Sequence, residues 1–148
     1  MFVKAFPLSH SNLQSTAFLV SSNDAWMLYL GDTGPDEIEK SHNLHKLWEA
    51  VMPLVKSKKL KGILIETSFP NEQPDKTLFG HLTPNWLMKE MDDLASLTDT
   101  NALKGFNIII THVKPPQGNI NKIKAQLKAQ NKLQLNLIFP EQGKVIGL

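Results

Sequence analysis

The chain contains no cysteine, and this absence limits both its covalent chemistry and its metal chemistry. Disulfide bonds and thiolate metal ligands are excluded, so the sequence leaves the redox compartment open. Any metal site must therefore use the side chains of histidine, aspartate or glutamate.

The chain also lacks any apolar run near the roughly 20 residues that a membrane helix needs. Its first ten residues, MFVKAFPLSH, alternate in polarity and meet a proline and a histidine too early for a secretory signal. We therefore expect no membrane contact and a cytoplasmic location for this chain, while the location of any longer parent protein stays unknown.

A strong charge of one sign is absent as well, since 16 basic residues stand against 14 acidic ones and the formal charge is +2. Such a balance gives no strong field for nucleic acid or anionic lipid, so we expect no nucleic-acid partner. The basic cluster KSKKLK at 56–61 is interpreted as a solvated helix end, because cations are favourable at helix C-termini.

What the sequence does contain is enough apolar material, 41 % of 148 residues, for one domain with its own core. Strand and helix patterns alternate along residues 1–148, and this predicts a single α/β domain with a largely buried sheet. Strands are predicted at 2–6, 17–21, 26–30, 62–66, 107–111 and 133–139, with a hairpin turn at Asn23-Asp24. Helices are predicted at 38–55, from Pro84 after an N-cap at Thr83, and at 121–130, with a loop at 114–119 and a turn at Gly143.

Chemically capable side chains stand at the ends of four predicted strands. His10 follows the first strand, Asp32 the third, Glu66 ends the fourth, and His112 follows the fifth. Each of them alone is more easily explained as a turn, capping or hydrogen-bonded structural residue. Because ligands gather at the carboxyl ends of strands in α/β sheets, the set of four favours a functional site.

A second histidine pair, His42 and His45, lies one helical turn apart in SHNLH and could imitate a pair of metal ligands. No third ligand accompanies the pair. We therefore interpret both side chains as helix-surface residues.

Several motifs together resemble one known family. FPLSH, LYLGDTGPD, ILIETSFPNE, FGHLTP and IIITHVKP occur in this order over nearly the whole chain. In this respect the chain resembles the class II cyclic-nucleotide phosphodiesterases, a branch of the metallo-β-lactamase superfamily. The resemblance implies the C-terminal half of an αββα sandwich, with a mixed sheet and helices packed on one face. It also implies a two-zinc hydrolase that opens the 3′,5′-cyclic phosphate of cAMP or cGMP to a 5′-monophosphate.

The resemblance also suggests which residues hold the metals. His10 corresponds to the third histidine of the first metal, Asp32 to the carboxylate that bridges both metals, and His112 to the late histidine of the second. Glycines at 31 and 34 would let the backbone and the metals approach closely. Two cations about 3.5 to 4 Å apart can hold a hydroxide as nucleophile and clamp the phosphoryl oxygens.

Glu66 with Thr67, and His81 two residues before Thr83, resemble the E-T and H-x-T pairing of phosphodiesterases in this superfamily. The resemblance assigns His81 to protonation of the leaving oxygen and Glu66 to orientation of that histidine. Alternatively, His81 belongs to a helix cap and Glu66 is a strand-end charge.

One departure from the family pattern concerns the remaining ligands. The H-x-H-x-D-H segment of the superfamily does not occur in this sequence. Three ligands divided between two zinc positions cannot close either site, because a catalytic zinc typically has three protein ligands. We therefore expect a truncated or split phosphodiesterase that is inactive alone. The alternatives are a non-catalytic relic that binds a nucleotide or phosphate, and an unrelated α/β protein.

The departure also predicts an assembly. Without its second sheet, the sandwich would expose the inner face of the first, and monomers rarely keep a large apolar face exposed. We expect this face to be covered by a second copy in a homodimer, or by the N-terminal half of the family fold.

Overall fold

A computed structural model describes residues 1–99, 101–116 and 118–148. In this part of the chain six strands form one sheet, in which they are ordered as in the sequence. The strands are β1 Phe2–His10, β2 Leu13–Ser22, β3 Ala25–Leu30, β4 Leu60–Glu66, β5 Asn107–Thr111 and β6 Asn136–Ile138. The helices are α1 Asp36–Glu39, α2 Asn43–Lys56, α3 Pro84–Leu97 and α4 Gly118–Gln130, and a 3-10 turn spans Asp75–Thr77.

The directions of the strands determine where the functional side chains meet. β1 and β2 are antiparallel, as are β2 and β3, while β3, β4, β5 and β6 are mutually parallel. Consequently β1 runs in the same direction as β3, β4 and β5, and the carboxyl ends of these four strands lie at one edge of the sheet. The mixed α/β sheet predicted from the sequence is confirmed.

The first two strands are longer than predicted. β1 continues through Pro7 to His10, so His10 is the last residue of the strand and does not follow it. Proline is tolerated there because β1 is an edge strand, where one side of the backbone has no strand partner. The predicted hairpin turn between β2 and β3 is confirmed, since Asn23 and Asp24 have φ of 49° and 67°, as a tight primed turn requires.

The single helix predicted over 38–55 is wrong, because two helices, α1 and α2, occupy this region. Lys40 adopts a left-handed conformation with φ of 52°, which ends α1. Both oxygens of the Asp36 carboxylate then accept backbone N–H groups at the start of α2, from Leu44 at 3.1 Å and His45 at 2.9 Å. A cap supplied from a preceding helix, with no glycine or proline at the break, leaves no local sequence signal.

Three further elements can be compared with the bounds predicted from local sequence patterns. Thr83 caps α3 as predicted, and its hydroxyl accepts the N–H of Trp86 at 3.4 Å. β6 covers three residues and not the seven predicted at 133–139. α4 begins at Gly118, so the loop predicted at 114–119 is too long at its C-terminal end; Gln117, within that prediction, lies outside the described residues.

The core lies between the sheet and the helices. One face of β2, β3, β4 and β5 packs against α2, α3 and α4, and the buried apolar residues at its centre are Leu19, Leu28, Ile63, Ile108, Leu47, Trp48, Val51, Leu87, Met91 and Ile123. Within the described ranges, none of the helices combines the length and the apolarity needed to cross a bilayer.

The other face of the sheet carries a continuous cross-strand row that we call the open face. Strand register places one residue of each strand in this row: Ala5, Phe18, Tyr29, Leu64, Ile109 and Ile138. Phe18 and Tyr29 are 40 % and 48 % exposed, which is high for aromatic side chains in central strands.

Candidate metal and catalytic site

Three potential metal ligands meet at the shared strand edge. His10 ends β1, Asp32 follows β3, and His81 precedes α3; one ligand atom from each lies within 4.8 Å of those of the other two. Imidazole nitrogens and a carboxylate oxygen are the donors that zinc takes in proteins without thiolates. The donor set therefore fits a divalent metal of this kind.

His112 joins the same group from the end of β5. Its Nε2 atom lies 3.7 Å from Oδ1 of Asp32, and its ring stacks on His81 with a centroid distance of 5.4 Å. His112 is in the left-handed region with φ of 55°, a conformation that ordinary residues adopt mostly at constrained sites. The structure thus brings the three predicted metal ligands together, and it adds His81, to which the family resemblance assigns proton transfer.

His10 is oriented by the backbone of Gly80. Nδ1 of His10 donates to the Gly80 carbonyl oxygen at 2.8 Å, which leaves Nε2 with a lone pair for a metal. Gly80 has φ of +81°, and a Cβ atom there would lie 2.6 Å from the carbonyl carbon of His10. The contact therefore requires glycine at this position.

Glu66 is 1 % exposed, and four hydrogen-bond donors surround its carboxylate. Oε1 accepts the Thr33 N–H at 3.1 Å and Nδ1–H of His81 at 2.6 Å. Oε2 accepts the Ser68 hydroxyl at 2.6 Å and the Leu82 N–H at 3.3 Å. An ionised carboxylate only accepts hydrogen bonds, so this surrounding of donors matches a charged Glu66.

The carboxylate of Glu66 also determines the tautomer of His81. Because Nδ1 of His81 donates to Glu66, Nε2 faces away from the carboxylate and lies 2.8 Å from Nζ of Lys114. The ammonium of Lys114 also stands 5.1 Å from the ring centroid of Phe69. A buried carboxylate, an imidazole and an ammonium are thus linked in series at the strand edge.

The loop of residues 31–36, GDTGPD, which we call the Asp32 loop, is held by contacts with its own chain. The N–H of Gly31 donates to Thr16 O at 3.1 Å, and that of Gly34 donates to Ser9 O at 2.9 Å. A Cβ atom on Gly31 would lie 2.7 Å from Oγ of Ser15, and one on Gly34 would collide with the side chain of Glu39. Both glycines are therefore explained by close packing of the protein itself, while their predicted role in metal approach stays a prediction.

Sequence reasoning missed two residues of the site, Ser68 and Lys114. Besides its bond to Glu66, Oγ of Ser68 lies 3.0 Å from the carbonyl oxygen of His112 and so connects the ends of β4 and β5. Both residues lie inside quoted motifs, ILIETSFPNE and IIITHVKP, two and three residues after a strand end, and this position is the signal that could have identified them.

Comparison with known proteins identifies a family over almost the whole chain. The family described as "cAMP phosphodiesterases class-II" matches residues 1–143. A 3′,5′-cyclic-nucleotide phosphodiesterase of Aliivibrio fischeri is 49 % identical over 148 residues, which are 97 % of this chain and 45 % of that protein. A probable 3′,5′-cyclic-nucleotide phosphodiesterase of Yersinia pestis is 42 % identical over 143 residues, covering 93 % of this chain and 42 % of its own length. The chain thus spans less than half the length of these curated relatives.

Solved structures agree with the sequence comparison. The crystal structure of unliganded yeast PDE1 has a TM-score of 0.83 and 26 % identity, over 95 % of this chain and 44 % of the yeast chain. The metallo-beta-lactamase fold protein YhfI of Bacillus subtilis has a TM-score of 0.62 at 12 % identity, over 96 % of this chain and 48 % of its own. The second likeness concerns the fold alone.

Proposed function

Since the chain belongs to the class II cAMP phosphodiesterase family, we propose that it supplies part of the active site of a 3′,5′-cyclic-nucleotide phosphodiesterase. The observation that carries this proposal is the convergence of His10, Asp32, His81 and His112 within one group at the strand edge. Such a convergence is what a phosphodiester hydrolase with metal ions requires of its scaffold.

His10, Asp32 and His112 are the residues proposed to hold the metal ions, with zinc as the metal. Two such ions, when bound, supply positive charge for the phosphoryl oxygens and acidify the attacking water. Oδ1 of Asp32 lies 3.7 Å from Nε2 of His112, and Asp32 belongs to the same group as His10, so two histidines have ligand atoms near its carboxylate. This proximity to two histidines supports a bridging role.

His81 is proposed as the proton donor to the leaving group. In the hydrolysis, water adds to phosphorus, the P–O3′ bond breaks, and O3′ must gain a proton to leave as a hydroxyl. Nε2 of His81 is the atom that would deliver it, with Glu66 fixing the ring from Nδ1 and the ammonium of Lys114 as the adjacent proton source. Lys114 would also place a positive charge beside the phosphate.

The described ligand set is incomplete for two ions, so catalysis is proposed to need additional residues. The chain covers 45 % of the Aliivibrio fischeri relative. We propose that the remaining ligands come from the portion of the family's length that these 148 residues do not span.

The same portion is the proposed occupant of the open face. Phe18 and Tyr29 are about half exposed in adjacent strands, and an apolar row across a whole sheet is suited to a second layer. Light scattering on the chain mixed with the unmatched portion of the Aliivibrio fischeri relative should give a one-to-one complex. A stable homodimer that excludes this portion would show that a second copy covers the face instead.

The function is tested by cAMP hydrolysis with zinc present, for the chain alone and mixed with the same portion of the relative. We expect 5′-AMP only in the mixture, and Asp32→Asn should reduce the rate by at least about 100-fold. His81→Gln should reduce it by a similar factor, as loss of an acid catalyst does.

His42→Gln is the matched control, because it removes a histidine that lies outside the strand-edge group. We expect it to leave hydrolysis and zinc binding unchanged. A mixture that assembles but neither binds zinc nor hydrolyses cAMP would contradict the proposal, and would favour a non-catalytic binding domain on the same fold.

A further inference from the structure

A second buried carboxylate lies outside the strand-edge site. Glu90, in the middle of α3, is 7 % exposed, and two hydrogen bonds reach it from different helices. Nε1–H of Trp48, in α2, donates to Oε2 at 3.1 Å, and the backbone N–H of Asp36, at the start of α1, donates to Oε1 at 3.3 Å. Glu90 therefore joins α1, α2 and α3 at one point.

This point is also one end of the Asp32 loop. Near its middle, the N–H of Thr33 donates to Glu66 at 3.1 Å, and at its last residue the N–H of Asp36 donates to Glu90. Asp32 directly precedes Thr33, so it lies next to the first of these two contacts and outside the segment between them. Two buried carboxylates thus hold the backbone that carries the proposed bridging ligand.

We propose that Glu90 is a positioning residue that holds the end of the Asp32 loop, and that protonation of its carboxyl group releases this hold. The link to Asp32 rests on the proposed function, whereas the contact between Glu90 and the loop does not.

The chemistry of the carboxyl group explains the release. As a carboxylate, Glu90 offers acceptors on both oxygens and matches the two N–H donors that face it. Once protonated, one oxygen becomes a donor and confronts an N–H group. One of the two hydrogen bonds is then lost or replaced.

A cavity of about 350 Å³ beside Glu90 gives water access to this proton. The charged and titratable groups that face the cavity come from three helices and the turn before α2: Asp36, Glu37, His42, His45, Lys89 and Asp93. Lys89 is paired with Glu37, and Nδ1 of His45 lies 2.8 Å from Asp93. The nearest cations are thus engaged with other acids, and none forms an ion pair with Glu90 in the part of the chain that the structure describes.

This environment places the titration of Glu90 near neutral pH. Burial raises the pKa of Glu90 to about 7, the hydrogen bond from Trp48 opposes this, and the charges of Asp36 and Asp93 add to it. The pKa of His45 is also raised, mainly by its hydrogen bond to Asp93, so His45 must be separated experimentally from Glu90.

The proposal is tested first by following the indole N–H signals of the three tryptophans by NMR between pH 5 and 8.5. The Trp48 signal should titrate with an inflection near the pKa of Glu90, and the signal should become flat in Glu90→Gln. Trp86 lines the same cavity and is an internal control, because its Nε1–H donates to Asp75 at 2.8 Å and the Nε1–H of Trp48 is the indole group that donates to Glu90.

Hydrogen exchange of the Asp36 amide gives the readout on the loop itself. Corrected for the intrinsic pH dependence of exchange, its protection should rise roughly 5-fold as Glu90 ionises, which is the effect of about one hydrogen bond. In Glu90→Gln this rise should disappear, while His45→Gln should keep it and so exclude His45 as its source. An Asp36 amide whose protection does not follow Glu90 would overturn the proposal.

Zinc affinity of the chain, mixed with the unmatched portion of the Aliivibrio fischeri relative, tests whether Glu90 affects the metal site through the Asp32 loop. At pH 8, the mixture with Glu90→Gln should bind zinc more weakly, on the order of tenfold, as second-layer changes around metal ligands do. If the mixture with the unaltered chain assembles but binds no zinc, the proposed metal site fails, while the loop measurements still decide the role of Glu90. Should Glu90→Gln not fold, Trp48→Phe serves in its place, because it leaves Glu90 titrating, and the Asp36 amide must still follow it.

Discussion

Glu66 and Glu90 are two buried acids that hold the same loop in different ways. They are 1 % and 7 % exposed, and each accepts one backbone N–H from the Asp32 loop. Glu66 has four donors, two on each oxygen, whereas Glu90 has two. Burial is nearly equal, so the two sites differ in the number of donors and in the neighbouring charges. Asp36 and Asp93 stand near Glu90, whereas His81 and the Lys114 ammonium are linked in series to Glu66.

The comparison indicates how the number of donors around a buried carboxylate differs between a site next to the proposed metal ligands and a site in the helix layer. Desolvation disfavours a charged carboxylate, and hydrogen bonds to the charged form compensate for it. At Glu90 two donors do not offset burial, and the pKa rises to about 7. The acid beside His81 has a full set of donors, while the acid at the far end of the loop can respond to pH.

Glu66→Gln should have the largest effect of the variants that test the difference between Glu66 and Glu90. The NH2 group of glutamine would face two of the four donors, and the linked His81 and Lys114 would lose their counter-charge. We therefore expect the free energy of unfolding to fall by about 3 to 5 kcal/mol, as when a buried charge loses its partner. Urea unfolding followed by circular dichroism measures the change. Glu90→Gln at pH 8 is the matched control, and we expect a change within about 1 kcal/mol because removal of a poorly solvated charge offsets the lost acceptor. Equal losses in the two variants would contradict the distinction.

The pH dependence of stability should come next in size. Because the folded-state pKa of Glu90 is raised from 4.5 to about 7, the folded protein binds this proton more tightly than the unfolded chain does. The contribution of Glu90 is therefore fully present below pH 4.5 and is lost as pH rises to about 7. This loss of stability is on the order of 3 kcal/mol, because each unit of pKa shift corresponds to about 1.4 kcal/mol.

Urea titrations between pH 5 and 8 in the unaltered chain and in Glu90→Gln isolate this contribution. The slope of stability against pH should be more negative in the unaltered chain than in the variant. His45 changes in the same pH range, since its pKa is also raised, and it remains in both proteins. Identical slopes would mean that Glu90 is not the titrating group.

The strand edge was predictable because its signals are local. The run NIIIT predicts β5 with its observed bounds, and Thr83 before Pro84 predicts the start of α3. Once the ends of parallel strands are known, their convergence follows, so His10, Asp32, Glu66 and His112 could be placed together without coordinates. The resemblance to the family is confirmed by the comparisons, and the roles of these four residues stay predictions.

The helix layer was not predictable in the same way, because its polar contacts depend on tertiary packing. Glu90 lies in the run MKEMDD, which has the appearance of an exposed helix face, yet it is buried and contacts Trp48 of α2 and Asp36 of α1. The break between α1 and α2 depends on Asp36 capping a helix that begins seven residues later. Neither residue spacing nor local residue preference predicts either of these contacts.

Trp48→Phe removes one of the two donors at Glu90 and should cost more at high pH than at low pH. The change also leaves a packing defect, since Trp48 is fully buried, but that part does not depend on pH. We expect the loss of stability to be about 1 to 2 kcal/mol larger at pH 8 than at pH 5, because the charged carboxylate loses a donor. Trp86→Phe, at an exposed hydrogen bond to Asp75, is the control for the substitution itself. A loss that is equal at both pH values would show that Trp48 does not support the charge.

Ser68→Ala makes the corresponding deletion at Glu66, where three donors remain. The smaller effect expected, about 1 kcal/mol, is that of one hydrogen bond. Ser57→Ala controls for the loss of a hydroxyl, because the Ser57 hydroxyl donates to the Leu54 carbonyl oxygen, at 3.4 Å, in an exposed position. Urea unfolding measures both variants. A loss well above that of one hydrogen bond would mean that the three remaining donors do not compensate for the fourth, and the contrast between the two acids would then be one of degree.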